Sequence, residues 1–151
     1  MKALIVGLGN ILLGDDGAGV WASKRLKELV KDSAVEIIDG GTAVTSLPLH
    51  MYPAIIAIDA VKISGKSLGE IIVLTKEDLL NTPDPLPLSG HSIDFIHMLK
   101  ILDFSGELPN RVWLIGICVE EISSGMELSD RVKSAVEKAC KIVLEILKNE
   151  L

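Results

Sequence analysis

A glycine-rich stretch at residues 7–19 constrains the fold of this chain more than any other feature. It has the sequence GLGNILLGDDGAG, follows the apolar run Ala3–Val6 and precedes a segment whose apolar residues recur at helical spacing. A buried strand, a glycine loop and a helix form the opening unit of an α/β sheet, in which the glycines let the backbone turn sharply. We therefore predict a strand over residues 2–7 and a helix over about residues 16–30.

Two neighbouring acids, Asp15 and Asp16, lie where this helix is predicted to begin. One interpretation makes Asp15 the N-cap and Asp16 a first-turn acid, because the start of a helix favours negative charge. A dinucleotide-binding fingerprint does not fit, because the third glycine of GxGxxG would fall on Leu12. Two carboxylates at this point suit a cation better than a pyrophosphate. Helix capping and cation binding both remain open on these residues alone.

The composition indicates a folded, acidic protein. Its 151 residues are 48% hydrophobic and 24% charged, which predicts one domain spanning residues 1–151. The net charge of −6 and the lack of a basic block argue against binding to nucleic acid or to an anionic membrane surface. No apolar run approaches the roughly 18 residues that a membrane-spanning helix requires. Cys118 and Cys140 form no CxxC pair or disulfide framework, so we expect a cytoplasmic protein, and we expect it to be monomeric.

The remainder of the chain alternates between strand and helix patterns, which predicts a mostly parallel α/β sheet. Further strands are predicted over residues 35–39, 54–59, 70–74 and 111–117. A short helix capped by Thr42 is predicted near 43–50, a helical turn over 76–80, and longer helices from about 89–92 to 102 and from 129 to 149. Loops are predicted over 81–89 and 118–125. The link between the third and fourth strands is too short for a parallel crossover, so the fourth strand is predicted to be antiparallel or at an edge. In the common order 2-1-3, strands one and three are neighbours and a crevice opens at their carboxyl ends.

Acidic residues lie at or after the carboxyl ends of the first three predicted strands. Asp59 closes the apolar third strand, where an unpaired buried charge would be costly, and Asp16 follows the first strand. Both are therefore predicted to face the crevice. Asp39, Gly40 and Gly41 follow the second strand and fit either a simple turn or a ligand-binding loop.

Three stretches of the chain resemble the hydrogenase maturation endopeptidases, which trim the C-terminus of the large subunit of nickel–iron hydrogenases. They are the glycine-rich stretch, IDGGT at Ile38–Thr42 and IAIDAV at Ile56–Val61, and a histidine placed like His91 is also expected. The resemblance implies a three-layer, phosphorylase/hydrolase-like α/β sandwich whose five-stranded sheet is mostly parallel, with one antiparallel or edge strand.

The resemblance also implies a site. The matching positions Asp16, Asp59 and His91 would bind metal and be needed for catalysis, and the loop at Asp39–Gly41 would lie beside the substrate. Some members of the family carry Glu at the position of Asp16, so a metal here would lie closer to the helix start. The implied substrate is a hydrogenase large-subunit precursor that carries its own nickel, although other divalent ions can occupy such a site.

Other catalytic sets are poorly represented in the sequence. Cys118 is followed by Glu120 and Glu121, whose charges disfavour a thiolate, and neither GxSxG nor HExxH occurs. Two alternatives to a peptidase remain open. One is a non-catalytic metallochaperone that binds nickel and hands it over, and the other is a small-molecule hydrolase or nucleoside phosphorylase on a similar sheet.

Overall fold

Five strands form one sheet in the computed structural model of the chain, which describes residues 1–81, 90–120, 125 and 127–151. The strands are β1 (Ala3–Leu8), β2 (Val35–Gly41), β3 (Ala54–Val61), β4 (Ile71–Thr75) and β5 (Arg111–Cys118). Their order is β2-β1-β3-β5-β4, and all neighbours are parallel except β4, which pairs antiparallel with β5 at the edge. The predicted 2-1-3 order and the single antiparallel edge strand are confirmed.

Helices cover both faces of this sheet and complete the predicted three layers. They are α1 (Ala18–Leu29), α2 (Lys76–Leu80), α3 (Gly90–Ser105) and α4 (Asp130–Asn149). Side chains alternate along the buried strands, so Ile5 and Ile56 pack towards α1 and α4, whereas Leu4 and Ile55 pack towards Phe95 of α3. Every residue of β1 and β3 is buried, which explains why both strands are apolar except for Asp59 of β3.

The parallel register of β1 and β3 brings their carboxyl ends together. Gly7 of β1 pairs with Ile58 of β3, so the glycine loop leaves the sheet beside Asp59, which remains in β3 and pairs with Gly116 of β5. The crevice expected at this switch point is therefore formed by the first loop and the end of β3.

Two local predictions differ from the structure. Residues 43–50 do not form one helix but two 3₁₀ turns, Val44–Ser46 and Leu49–Met51, with Pro48 between them. Proline lacks the N–H that a continuous helix would need at this point. The first turn begins after Ala43 without a side-chain cap, so the predicted cap at Thr42 is wrong.

Parts of two predicted loops, namely residues 82–89, 121–124 and 126, lie outside the described residues. Within the described ranges, no helix has the length and apolar character needed to cross a bilayer.

Candidate functional site

Gly9 lies at the point where the first loop crosses the end of β3. Its φ of +120° is a left-handed backbone conformation that residues other than glycine rarely adopt. A Cβ at this position would overlap the carbonyl oxygen of Asp16 and would lie 3.6 Å from Asp59 Oδ1. The glycine therefore allows the backbone that carries Asp16 to approach the carboxylate at the end of β3.

Asp16 lies in a 3₁₀ turn, Gly14–Gly17, and not in the first turn of α1. The helix begins at Ala18 after Gly17, without a side-chain cap, so the predicted helix start at residue 16 is wrong. The side chain turns back over its own loop, where Oδ2 accepts the backbone N–H of Asn10 at 3.0 Å. Asp16 is only 3% exposed, so this carboxylate is buried and held by the loop.

Asp15 has a different partner. Its Oδ1 accepts the backbone N–H of Ser129 at 2.8 Å, and its Oδ2 accepts the Ser129 hydroxyl at 2.9 Å. Ser129 is the N-cap residue of α4, so Asp15 fastens the glycine loop to the beginning of the last helix. The interpretation of Asp15 as the N-cap of the first helix is wrong, because both of its oxygens are bonded to a different helix.

His91 comes to Asp16 from the opposite layer of the fold. It is the second residue of α3, and its Nε2 lies 3.2 Å from Asp16 Oδ2. The imidazole is 21% exposed, whereas the partner carboxylate is almost completely covered. The structure therefore brings together two of the three residues at which the sequence predicts a metal site, and leaves the histidine edge accessible.

This contact shifts the pKa values of both groups. Burial opposes ionisation of Asp16, but the hydrogen bonds from His91 and from the Asn10 backbone outweigh it, so its pKa lies below the ordinary 3.8. The hydrogen bond to Asp16 raises the pKa of His91 above the ordinary 6.5 against the effect of burial, and the charge of Asp59 adds to the rise. Imidazolium and carboxylate thus stabilise each other in the closed site.

Asp59 is completely buried near the end of β3, which continues past the predicted boundary at this residue to Val61. Its Oδ2 accepts a hydrogen bond from the hydroxyl of Ser92 at 2.6 Å. Ser92 is itself fully buried and directly follows His91 in the first turn of α3. The sequence analysis missed this serine, for which the available signal was a small hydroxyl residue beside the candidate histidine at the start of a helix.

A groove of about 430 Å³ extends from the glycine loop to the end of β2, and among the residues that line it are Asn10, Leu12, Asp39 and Gly41. Leu12 is 60% exposed on this surface. The Asp39 carboxylate accepts hydrogen bonds from Ser23, Lys24 and Lys27 of α1, at 2.5, 3.2 and 3.0 Å. Asp39, Gly40 and Gly41, predicted as a substrate loop, are instead the last three residues of β2. They end beside an open groove, and the Asp39 carboxylate is bonded to α1.

Comparison with known proteins identifies the family. The family model described as hydrogenase maturation protease matches residues 20–146. The chain belongs to the hydrogenase maturation protease family. Among curated relatives of this family member, the hydrogenase 2 maturation protease of Escherichia coli K12 is 31% identical, over 98% of this chain and 92% of the relative. The hydrogenase expression/formation protein HoxM of Azotobacter vinelandii is 32% identical, over 95% of this chain and 71% of the relative.

Solved structures of the family have the same fold. The hydrogenase maturating endopeptidase HybD from E. coli superimposes with a TM-score of 0.85 at 29% identity, covering 99% of this chain and 94% of that one. The NiFe hydrogenase maturation protease HybD from Thermococcus kodakarensis gives a TM-score of 0.80 at 31% identity, covering 97% of this chain and 99% of that one. This maturation protease therefore has the α/β architecture that its sequence resemblance implies.

The candidate metal donors of this family member are engaged in hydrogen bonds with other side chains. Across the described residues, no three His, Cys, Asp or Glu side chains are placed so that they could hold a metal ion together. Asp16 and His91 are bonded to each other, and Ser92 lies against Asp59. Two carboxylates and an imidazole are nevertheless suitable ligands for a borderline divalent ion such as nickel or zinc. A metal would have to replace the Asp16–His91 hydrogen bond.

Neither cysteine has the environment of a nucleophile. Burial raises the pKa of the Cys118 thiol, and the charge of Glu70 adds to the rise. Burial likewise raises the pKa of Cys140 to about 11. A reactive cysteine needs an accessible, electropositive site that favours its thiolate, and these two have the opposite. Cysteine chemistry therefore does not account for the protease activity of the family in this chain.

Proposed function

We propose that this protease removes the C-terminal extension of a hydrogenase large-subunit precursor that already carries nickel. Asp16, Asp59 and His91 bind that nickel, so the metal arrives with the substrate. The proposal is supported by the family membership and by the similarity to the hydrogenase 2 maturation protease of E. coli.

One observation carries the assignment of the site. His91 and Asp16 are in contact at 3.2 Å, and the residue after His91 is bonded to Asp59 at 2.6 Å. These two contacts support a site in which side chains of three separate segments act together at the carboxyl ends of β1 and β3, where α/β proteins bind ligands. Buried carboxylates cost stability even when hydrogen bonds compensate part of that cost, so the burial of two of them at this edge of the sheet favours a role in binding over a role in the core.

The substrate and the enzyme each contribute to the proposed reaction. The nickel of the bound substrate would act as a Lewis acid that orients and polarises the scissile carbonyl or a bound water. When the precursor enters, Asp16 and His91 exchange their mutual hydrogen bond for contacts with the substrate. Asp59 supplies a second carboxylate from a rigid strand end. The burial of both acids excludes water, which strengthens their attraction for a cation.

The groove beside the glycine loop supplies a place for the polypeptide. We propose that the segment around the scissile bond lies along Asn10, Leu12 and the last residues of β2, Asp39–Gly41. Asp39 holds this end of β2 in place through its bonds to α1. We further propose that the protein acts as a cytoplasmic monomer, which agrees with its free, buried cysteines.

The decisive experiment compares two forms of one precursor. Purified protein is mixed with nickel-loaded and with nickel-free large-subunit precursor, and the intact mass of each precursor is followed over time. We expect loss of the C-terminal segment only from the nickel-loaded form. Equal cleavage of both forms would rule out recognition through nickel.

Matched histidine variants test the site within the same assay. His91→Ala is expected to abolish processing, whereas His97→Ala, on the exposed side of the same helix, is expected to retain it. Stoichiometric nickel uptake by the free protein with no change in precursor mass would instead identify a metallochaperone. Turnover of a nucleoside without metal would identify a small-molecule enzyme.

A further inference from the structure

The hydroxyl of Ser92 is a buried polar group that the proposed reaction does not use directly. It donates to Asp59 Oδ2 at 2.6 Å, and both residues have no exposed surface. A hydrogen bond to an ionised carboxylate in such a place is shorter and stronger than one between neutral groups. This contact therefore fixes the position of one carboxylate oxygen at the end of β3.

The first turn of α3 reaches both acids through adjacent residues. His91 contacts Asp16 on the glycine loop, and Ser92 contacts Asp59 on β3. The beginning of one helix thus sets the distance between two carboxylates that belong to different segments of the chain. The torsion that rotates an aspartate carboxyl group is broad, so the hydrogen bond from Ser92 restricts the plane of the Asp59 carboxylate.

We propose that Ser92 is a positioning residue that holds the Asp59 carboxylate in the orientation in which it binds the substrate's nickel. The inference rests on the proposed function, and Ser92 acts through Asp59 without touching the substrate. Hydrogen-bond partners of metal ligands typically change metal affinity or activity by about 10–100-fold when they are removed.

The test separates binding of nickel from binding of the polypeptide. Single-turnover cleavage of nickel-loaded precursor, with enzyme in excess, gives a half-saturating enzyme concentration and a maximal rate. A direct binding titration with nickel-free precursor gives its dissociation constant. For Ser92→Ala we expect the half-saturating concentration to rise about tenfold, while the dissociation constant for the nickel-free form remains that of the wild type.

Two further variants make the result specific to the hydroxyl. Ser92→Thr keeps the hydroxyl and is expected to recover most of the loss, whereas Ser92→Gly removes it and should behave like Ser92→Ala. Ser105→Ala is the matched control, because its hydroxyl bonds to the Leu102 carbonyl at the other end of the same helix. It is expected to leave both measurements unchanged.

Two results would overturn the assignment of Ser92. One is an undiminished preference for nickel-loaded precursor in Ser92→Ala and Ser92→Gly. The other is an equal weakening of binding to both forms of precursor, which would indicate a purely structural role. Failure of the proposed function looks different: the wild type itself would leave the nickel-loaded precursor uncleaved, and the role of Ser92 would be refuted with it.

Discussion

His91 Nε2 and Asp16 Oδ2 lie 3.2 Å apart although the two residues are separated by 75 positions in the chain. One belongs to the first turn of α3 and the other to the 3₁₀ turn of the glycine loop. Each side chain favours the charged form of the other. The pair links two layers of the fold at the carboxyl ends of the strands. A substitution that displaces either segment should therefore disturb the contact between His91 and Asp16 first.

Asp16→Asn is expected to stop processing while leaving the protein folded. The amide preserves the size of the side chain and can still accept the Asn10 N–H, but it removes the negative charge. We expect cleavage to slow by about 100-fold or more, the upper end of the effect seen for groups that only support a metal ligand. The measurement is the intact mass of a co-expressed precursor. Asp15→Asn is the neighbouring control, and an unchanged loss of the C-terminal segment in Asp16→Asn would remove Asp16 from the mechanism.

Asp15→Ala is expected to reduce the stability of the protein rather than its rate of cleavage. The substitution removes two hydrogen bonds to Ser129 and a negative charge at the start of α4. Hydrogen bonds to charged groups contribute about 1.5–3 kcal/mol, so the free energy of unfolding should fall by about 2 kcal/mol. Urea unfolding followed by circular dichroism measures it. A double-mutant cycle with Ser129→Ala should show coupling, and strictly additive effects would contradict the contact.

Gly9→Ala is expected to displace the loop that carries Asp16. The new Cβ would overlap the Asp16 carbonyl, and the backbone is left-handed at this residue. Overpacking and left-handed strain each cost about 1–3 kcal/mol, so both stability and processing should fall. Gly65→Ala is a matched control, because Gly65 is also left-handed but a Cβ there would meet nothing within 4 Å. Equal losses in the two variants would show that backbone strain alone matters.

The Asp39 carboxylate predicts a specific dependence of stability on pH. Burial disfavours its charge, but hydrogen bonds from Ser23, Lys27 and Lys24 outweigh this effect and lower its pKa below 3.8. A carboxyl group whose pKa is lower in the folded than in the unfolded protein stabilises the fold at pH values above its pKa in the unfolded protein. This contribution is lost as the pH falls through its pKa in the folded protein. Asp39→Asn should therefore destabilise the protein at pH 7, and the difference from the wild type should shrink below about pH 3.8.

Urea unfolding at several pH values between neutral and acid checks this expectation. Asp103→Asn, which changes an exposed acid on α3, is the control and should show little difference from the wild type at any pH. A gap between Asp39→Asn and the wild type that stays constant through the acid range would contradict the role assigned to the charge.

The order and type of the main elements were predictable because they depend on local patterns. Continuous apolar runs predicted β1 and β3, and regular apolar spacing predicted α4, whose Val132, Ala135 and Val143 are buried as expected. The short link before β4 correctly indicated an antiparallel strand. The exact start of α1 was not predictable, because the two acids that look like its caps are bonded to partners elsewhere in the chain.

The amino-acid sequence by itself determined the class of fold and the candidacy of Asp16 and Asp59, since these follow from periodicity, loop length and a recognisable glycine-rich stretch. The 2-1-3 order was taken from what is common in such sheets, and His91 became a candidate through the resemblance to the family. Only the tertiary structure decided which of two adjacent acids faces His91 and which binds Ser129. It also revealed Ser92 on Asp59, a contact between residues on different elements. Side-chain hydrogen bonds between distant segments depend on how the layers pack, and that packing leaves no periodic trace in the sequence.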